Sequence, residues 1–326
     1  MLLSAASGAL AISLRRTFAA LAAGVQGRAS TLDVEGSIVW NLRLPRVLMA
    51  ALVGASLGSS GAAMQGIFRN PLADPYLLGV ASGASFGATL ALCLSGRLAE
   101  AFSDAPFAMG RFSAFVPLFA FFGAAGAVLA TLALSRGGRR SRTASLLLAG
   151  VVVGSVFVSM TTFLMLRDAD RLRAVITWTM GNLSLSSWRD VVLVSPYAAA
   201  GMALLYALAR GLDALQLGED TARTLGVNPR TIRFGVIAGA SLATGAAVAF
   251  VGIIGFVGLV APHVMRRLGA PHHRVLLPAS ALGGATLLVV ADFGARTLIR
   301  PAELPVGVVT TLVGGPFFLW LLRRES

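Results

Sequence analysis

Few side chains in this sequence are of a type that does chemistry, and those few are spaced poorly for it. The histidines are His263, His272 and His273. A zinc site needs several His, Cys or carboxylate groups converging on one ion at about 2.0–2.3 Å. None of the three has a Cys, Asp or Glu at ligand spacing on a common helix face. His272 and His273 are adjacent, point different ways and fall in a predicted loop. Solvated loop histidines are the better reading than a metal site. Cys93 is the single cysteine. It has no partner for an intrachain disulfide, and inside an apolar run it reads as an inert buried thiol. No phosphate-binding Gly-Lys-Ser/Thr loop is present, so the chain is not expected to bind ATP itself. No Ser/His or paired-Asp cluster lies within the apolar stretches. Catalytic residues, a cofactor and a metal are therefore not expected.

An ionisable residue inside an apolar span points to an ion pathway by default, because a charge in hydrocarbon is costly. The main candidate is Asp292, in Val290–Ala291–Asp292–Phe293. An ion-coupled transporter needs more than one such group, or helices broken at the midplane. A lone Asp near the end of a span reads instead as hydrogen-bonded or close to the interface. Any transport by this chain is thus expected to be powered from outside it.

These residues are carried on long apolar blocks. Hydrophobic residues make up 56% of the chain and charged residues only 13%, where a soluble domain has about 25% charged. A run of about 18 apolar residues crosses the ~30 Å hydrocarbon core of a bilayer as a helix. Spans are expected near 47–68, 76–95, 112–134, 144–166, 191–209, 234–251, 253–265, 275–298 and 304–322. Gly252, Gly255 and Gly258 interrupt the two that meet near residue 252. A partial span at 2–14 precedes them, too short to cross and lacking the basic start of a signal peptide. The fold class is an all-α polytopic membrane protein, with residues 1–326 forming one transmembrane domain.

The net charge of +13 comes from arginine alone. The arginines lie in short connectors, where they orient helices rather than bind nucleic acid. Arg136, Arg139, Arg140 and Arg142 form one group, Arg266, Arg267 and Arg274 another, and Arg323 and Arg324 a third. If the spans alternate, all three groups share one side, which the positive-inside rule makes cytoplasmic. Glycines four apart (Gly54 and Gly58; Gly79, Gly83 and Gly87; Gly150 and Gly154; Gly235 and Gly239) make smooth strips for close helix packing.

The longest cytoplasmic connector, Leu212–Arg233, reads as a short amphipathic helix. Glu219 and Asp220 occupy its first turn, where the helix dipole favours acids. Glu219 and Arg223 are spaced for an ion pair. Leu217, Ala222 and Leu225 form a small apolar face, and Gly226 followed by Asn228–Pro229 ends the helix. Pro229–Arg233 reads as a second short turn. A capped surface loop and a docking element for a partner both fit this pattern.

The segment Leu217–Gly218–Glu219–Asp220–Thr221–Ala222–Arg223–Thr224–Leu225–Gly226–Val227 resembles the coupling segment of the FecCD-type permeases. Further matches run in order along residues 40–322. They include Arg43–Leu44–Pro45–Arg46, Asn70–Pro71–Leu72–Ala73–Asp74–Pro75, Gly255–Phe256–Val257–Gly258–Leu259–Val260–Ala261–Pro262–His263 and Glu303–Leu304–Pro305–Val306–Gly307. These permeases are the membrane subunits of ATP-driven importers for vitamin B12, iron–siderophore complexes and haem. The resemblance implies about ten transmembrane helices per subunit, the first of them cut short here, and a second permease subunit, most simply a homodimer. It implies cytoplasmic ABC ATPase subunits docked on a coupling segment at about 212–233, through Leu217, Gly218, Glu219, Asp220, Ala222, Arg223, Leu225 and Gly226. It implies an extracytoplasmic substrate-binding protein whose glutamates meet Arg43, Arg46 and Arg296. The cargo it implies is a metal chelate, taken first as an iron–siderophore complex, with cobalamin or haem as alternatives. The location it implies is the bacterial inner membrane.

Overall fold

The computed structural model describes residues 4, 6, 12–28, 32–101, 112–135, 142–168, 171–299 and 302–325. The expected span at 2–14 and the loop bearing Arg136, Arg139 and Arg140 lie outside the described residues for the most part. The elements are α1 (Leu14–Val25), α2 (Val34–Phe68), a 3-10 turn (Pro75–Leu78), α3 (Val80–Ala101), α4 (Phe112–Leu134), α5 (Arg142–Arg167) and α6 (Leu172–Thr179). They continue as α7 (Trp188–Ala207), α8 (Ala209–Gln216), α9 (Glu219–Thr224), α10 (Pro229–Val251), α11 (Val257–Arg267), α12 (His273–Thr297) and α13 (Val306–Glu325). No strand occurs among the described residues.

Six helices there are long and apolar enough to cross a membrane: Val34–Phe68, Phe115–Leu134, Ala144–Arg167, Trp188–Ala207, Pro229–Val251 and His273–Thr297. Val80–Leu94 and Val306–Leu319 are shorter apolar helices. The expected span at 253–265 is the clearest departure. Its helix, α11, has 11 residues, about 16 Å at 1.5 Å per residue, roughly half a bilayer core. Proline does not interrupt the long helices. Pro117, Pro196, Pro278 and Pro316 all lie inside them, as packed membrane bundles allow.

α2 runs through the centre of the bundle because its middle is made of small residues. Ser56, Gly58, Ser59, Ser60, Gly61, Ala62 and Ala63 are all buried. A Cβ on Gly54 would lie 2.2 Å from the Gly284 carbonyl oxygen, and one on Gly58 2.1 Å from that of Ser280. Backbone contact this close holds α2 and α12 together as an antiparallel pair. Where lipid tails are as apolar as leucine, tight van der Waals packing is what drives helix association. The α3–α4 pair repeats the device, with Gly83 and Gly87 against the carbonyls of Gly123 and Phe119. By contrast α5 turns large side chains outward: Val151, Val156, Phe163 and Leu166 are exposed.

Two chain breaks meet beside α2. α10 ends at Gly252 (φ 77°), and α11 starts after Phe256, a non-glycine residue at φ 67°. The other break is the segment before α3. The Tyr76 hydroxyl donates to the Ile254 carbonyl (3.0 Å), and Gly258 sits against both Pro75 and the Leu57 carbonyl. Asn182 N–H donates to the Val251 carbonyl (2.8 Å) and Val306 N–H to that of Gly181 (3.1 Å). Such bonds are required wherever a helix stops in apolar surroundings, since an unpaired backbone group there costs several kcal/mol.

Candidate functional site

The predicted site residues fall at opposite ends of the α2–α12 pair. Arg43 and Arg46 stand near the start of the long apolar part of α2, and Arg296 stands in the last turn of α12. The structure brings these three together and turns them inward: they are 7%, 8% and 7% exposed. Asp292, fully buried, bridges two of them. Its Oδ1 lies 2.9 Å from Arg46 Nε and its Oδ2 lies 3.1 Å from Arg296 Nε. Arg46 also pairs with Glu303 at 2.8 Å. Arg296 donates to the Ser4 hydroxyl (2.6 Å), and Arg43 donates to the Ala6 carbonyl (2.7 Å).

The order of residues explains the cluster. Asp292 and Arg296 are one turn apart on α12 and so share a face. The antiparallel contact with α2 brings Arg46 to the same level. Leu304 N–H donates to the Ala295 carbonyl (3.1 Å), folding Glu303 back over the end of α12. Arg46 and Arg296 thus share Asp292, Arg46 takes Glu303 as well, and Arg43 donates to backbone beside them. Arg forms geometrically fixed, charge-assisted bonds to carboxylates. Asp292 is therefore not a proton relay standing alone; it is the hydrogen-bonded residue expected from its place near the end of a span. The signal that Arg46 and Arg296 use Asp292 was present in the sequence only as the i,i+4 pair on α12. The contact with α2 was not readable.

At the other end, α8 and α9 form the predicted coupling segment. Leu212 belongs to α8 and is buried in the core, so the surface element starts later than residue 212. Gly218, at φ 123°, makes the corner between α8 and α9, a conformation side chains other than glycine rarely take. Glu219 and Asp220 lie in the first turn of α9; Arg223 is 3.1 Å from Asp220 and 3.7 Å from Glu219. Glu219 also pairs with Arg233, at 2.5 Å. Gly226 ends the element at φ 76°. Two expectations need correcting. Pro229–Arg233 is no separate turn but the first turn of α10. The apolar face is split: Ala222 is fully buried, whereas Leu217 and Leu225 are 67% and 60% exposed. A helix of 6 residues has room for one inward anchor, and the flanking leucines fall outside it.

The histidines also differ from expectation. His272 is exposed, but His273 is 4% exposed. Its ring Nδ1 lies 2.6 Å from Asp213 Oδ1, and its backbone N–H donates to the same oxygen at 2.9 Å. His263 lies on α11 with its ring 6.3 Å from that of Phe317. The sequence pattern missed this because Asp213 and His273 are 60 residues apart. No group of three metal-binding side chains occurs among the described residues. A crevice of about 860 Å³ near the start of α7 is lined by Phe121, Trp178, Arg189, Tyr197 and Phe250, among others, and by neither candidate site.

Comparison with known proteins follows the same chain-wide pattern. The FecCD transport family matches residues 1–324. The cobalamin import system permease protein of Halobacterium salinarum is 43% identical over 289 residues, covering 89% of this chain and 74% of that protein. The hemin transport system permease protein of Yersinia pestis is 42% identical over 326 residues, covering 99% of this chain and 91% of that protein. A solved structure described as an inward-facing conformation of a metal-chelate type ABC transporter superposes with a TM-score of 0.78 at 30% identity, covering 96% of this chain and all of that one. A match over essentially the whole length places this chain in the FecCD transport family.

Proposed function

We propose that the chain is the membrane subunit of an ATP-driven importer that carries a metal chelate across a bacterial inner membrane. The observation that carries this reading is the α8–α9 element. It is a capped, ion-paired helical corner whose Leu217 and Leu225 are left facing outward at the arginine-rich end. An apolar pair rimmed by Asp220 and Arg223 suits docking of a protein partner better than contact with lipid. The partner is a cytoplasmic ABC ATPase, and the surface from Leu217 to Gly226 is where it acts. ATP binding closes two ATPases, and their movement tilts the helices between outward and inward access. The work is done outside this chain, consistent with Asp292 being already paired.

A second copy of the chain completes the path, and the outward-turned side chains of α5 suit burial by that copy or by lipid. A substrate-binding protein docks at the opposite end, over Arg43, Arg46 and Arg296. There an incoming carboxylate competes with Glu303, whose side chain is 46% exposed, for Arg46. Pairs of this kind steer docking more than they add affinity. The cargo is a metal chelate. Relatives of nearly equal identity are named for cobalamin and for hemin, so similarity at this level does not select among them, and an iron–siderophore complex stays beside both. Co-purification with the candidate ATPase tests the reading. A stoichiometric complex that is lost in Leu217→Asp/Leu225→Asp supports it. A wild-type chain that binds no ATPase returns an ion-coupled transporter to first place.

A further inference from the structure

α12 begins without a cap of its own. The first N–H groups of a helix need acceptors, usually from the side chain at the N-cap. His272 holds that position and makes no side-chain capping bond. The acceptor comes from another helix: Asp213, on α8, takes the His273 N–H at 2.9 Å and the ring Nδ1–H at 2.6 Å through one oxygen. That bond assigns the ring tautomer and leaves Nε2 buried with no partner. Nε2 faces Gly66 on α2, where a Cβ would lie 2.6 Å away. The ring therefore fills a slot that only glycine leaves open.

α8 is tied to α2 as firmly as to α12. The Gln216 side chain donates to the Gly66 carbonyl (2.8 Å), and Arg69 donates to the Leu215 carbonyl. Beyond this joint, α2 and α12 are closed on each other at Gly54, Gly58 and Gly284, and they end in the Arg46–Asp292–Arg296 cluster. We infer that Asp213 and His273 are the joint through which the coupling element moves α2 and α12 as one body, making Asp213 a positioning residue for transport. An apolar contact would let α8 slide along these helices. A cap supplied across the interface fixes register and direction, because one oxygen must meet two donors on one residue.

The inference rests on the proposed function, and its test separates the two. The chain is reconstituted in liposomes with its ATPase and binding protein, and ferric siderophore, cobalamin and haem are offered in parallel. ATP hydrolysis and uptake are read together. Asp213→Ala is expected to assemble and to hydrolyse ATP at near the wild-type rate, while uptake per ATP falls about tenfold, within the usual range for coupling between sites. Asp213→Asn keeps an acceptor oxygen and is expected to restore most of that ratio. Should Asp213→Ala not assemble, His273→Ala removes the ring bond, keeps the backbone cap and is expected to lower uptake per ATP by about fivefold. An unchanged ratio in the tested alanine variant overturns the joint while leaving the importer reading intact. So does hydrolysis and uptake falling in equal proportion, or no rescue by asparagine. A wild-type complex that neither hydrolyses ATP nor takes up any chelate overturns the importer reading first, and the joint with it.

Discussion

At the Arg46 end of the α2–α12 pair, charged side chains are folded in upon one another; at the His273 end, side chains grip backbone and the charged groups beyond them face outward. Asp292 is fully buried between two arginines, whereas the side chain of Asp220, on α9, is 97% exposed. The same residue types thus serve opposite purposes. Buried charges that satisfy each other fix how two helices meet. Exposed charges around exposed leucines leave a surface for another molecule. The difference also shows where each end is vulnerable.

The largest effect is expected from Asp292→Ala. It leaves Arg46 and Arg296 buried without their shared carboxylate, and breaking a buried pair on one side costs about 3–5 kcal/mol. Thermal unfolding in detergent should show a clear drop in stability, and wild-type stability in this variant would mean the cluster opens freely to water. Gly58→Leu comes next. Its Cβ alone would meet the Ser280 carbonyl oxygen at 2.1 Å; overpacking of this kind costs about 1–3 kcal/mol or more. Separation of α2 from α12, read by accessibility of cysteines introduced between them, is the expected result, and an unchanged pattern would show that the pair does not depend on close contact.

Glu303→Gln should cost at most about 1 kcal/mol, because the side chain is half-exposed and solvent screens the pair. If that variant unfolds as readily as Asp292→Ala, Glu303 belongs to the buried cluster rather than to its rim. The smallest effect on stability is expected from Leu217→Asp/Leu225→Asp, within about 0.5 kcal/mol of wild type per site, as for surface changes generally. Its effect should appear only in ATPase binding. A stability loss matching that at Asp292 would erase the contrast between the two ends.

Much of this contrast was legible in the sequence, but unevenly. The apolar blocks placed most of the long helices, because length and hydropathy are local properties, but they started α2 near residue 47 where the helix begins at Val34, since Glu35, Asn41, Arg43 and Arg46 interrupt the apolar run. The Glu219–Arg223 spacing and Gly226 marked the short helix α9 for the same reason. What could not be read depends on tertiary contact. His273 seemed a loop residue because its partner, Asp213, lies on a different helix. Arg43, Arg46 and Arg296 were expected, from the resemblance, to meet glutamates of a partner protein. Their burial follows from Asp292 and Glu303 arriving from elsewhere in the chain. The half-length α11 is intermediate: Gly252, Gly255 and Gly258 announced a break, but not that Tyr76 would hold it at Ile254.

The most direct test of the account is uptake into liposomes holding this chain with its ATPase and binding protein. Labelled ferric siderophore, cobalamin and haem are supplied outside and ATP inside. The expected result is ATP-dependent accumulation of one of these chelates, abolished by Leu217→Asp/Leu225→Asp although the variant folds normally. Accumulation that proceeds without ATP, or that survives loss of the coupling surface, would contradict it.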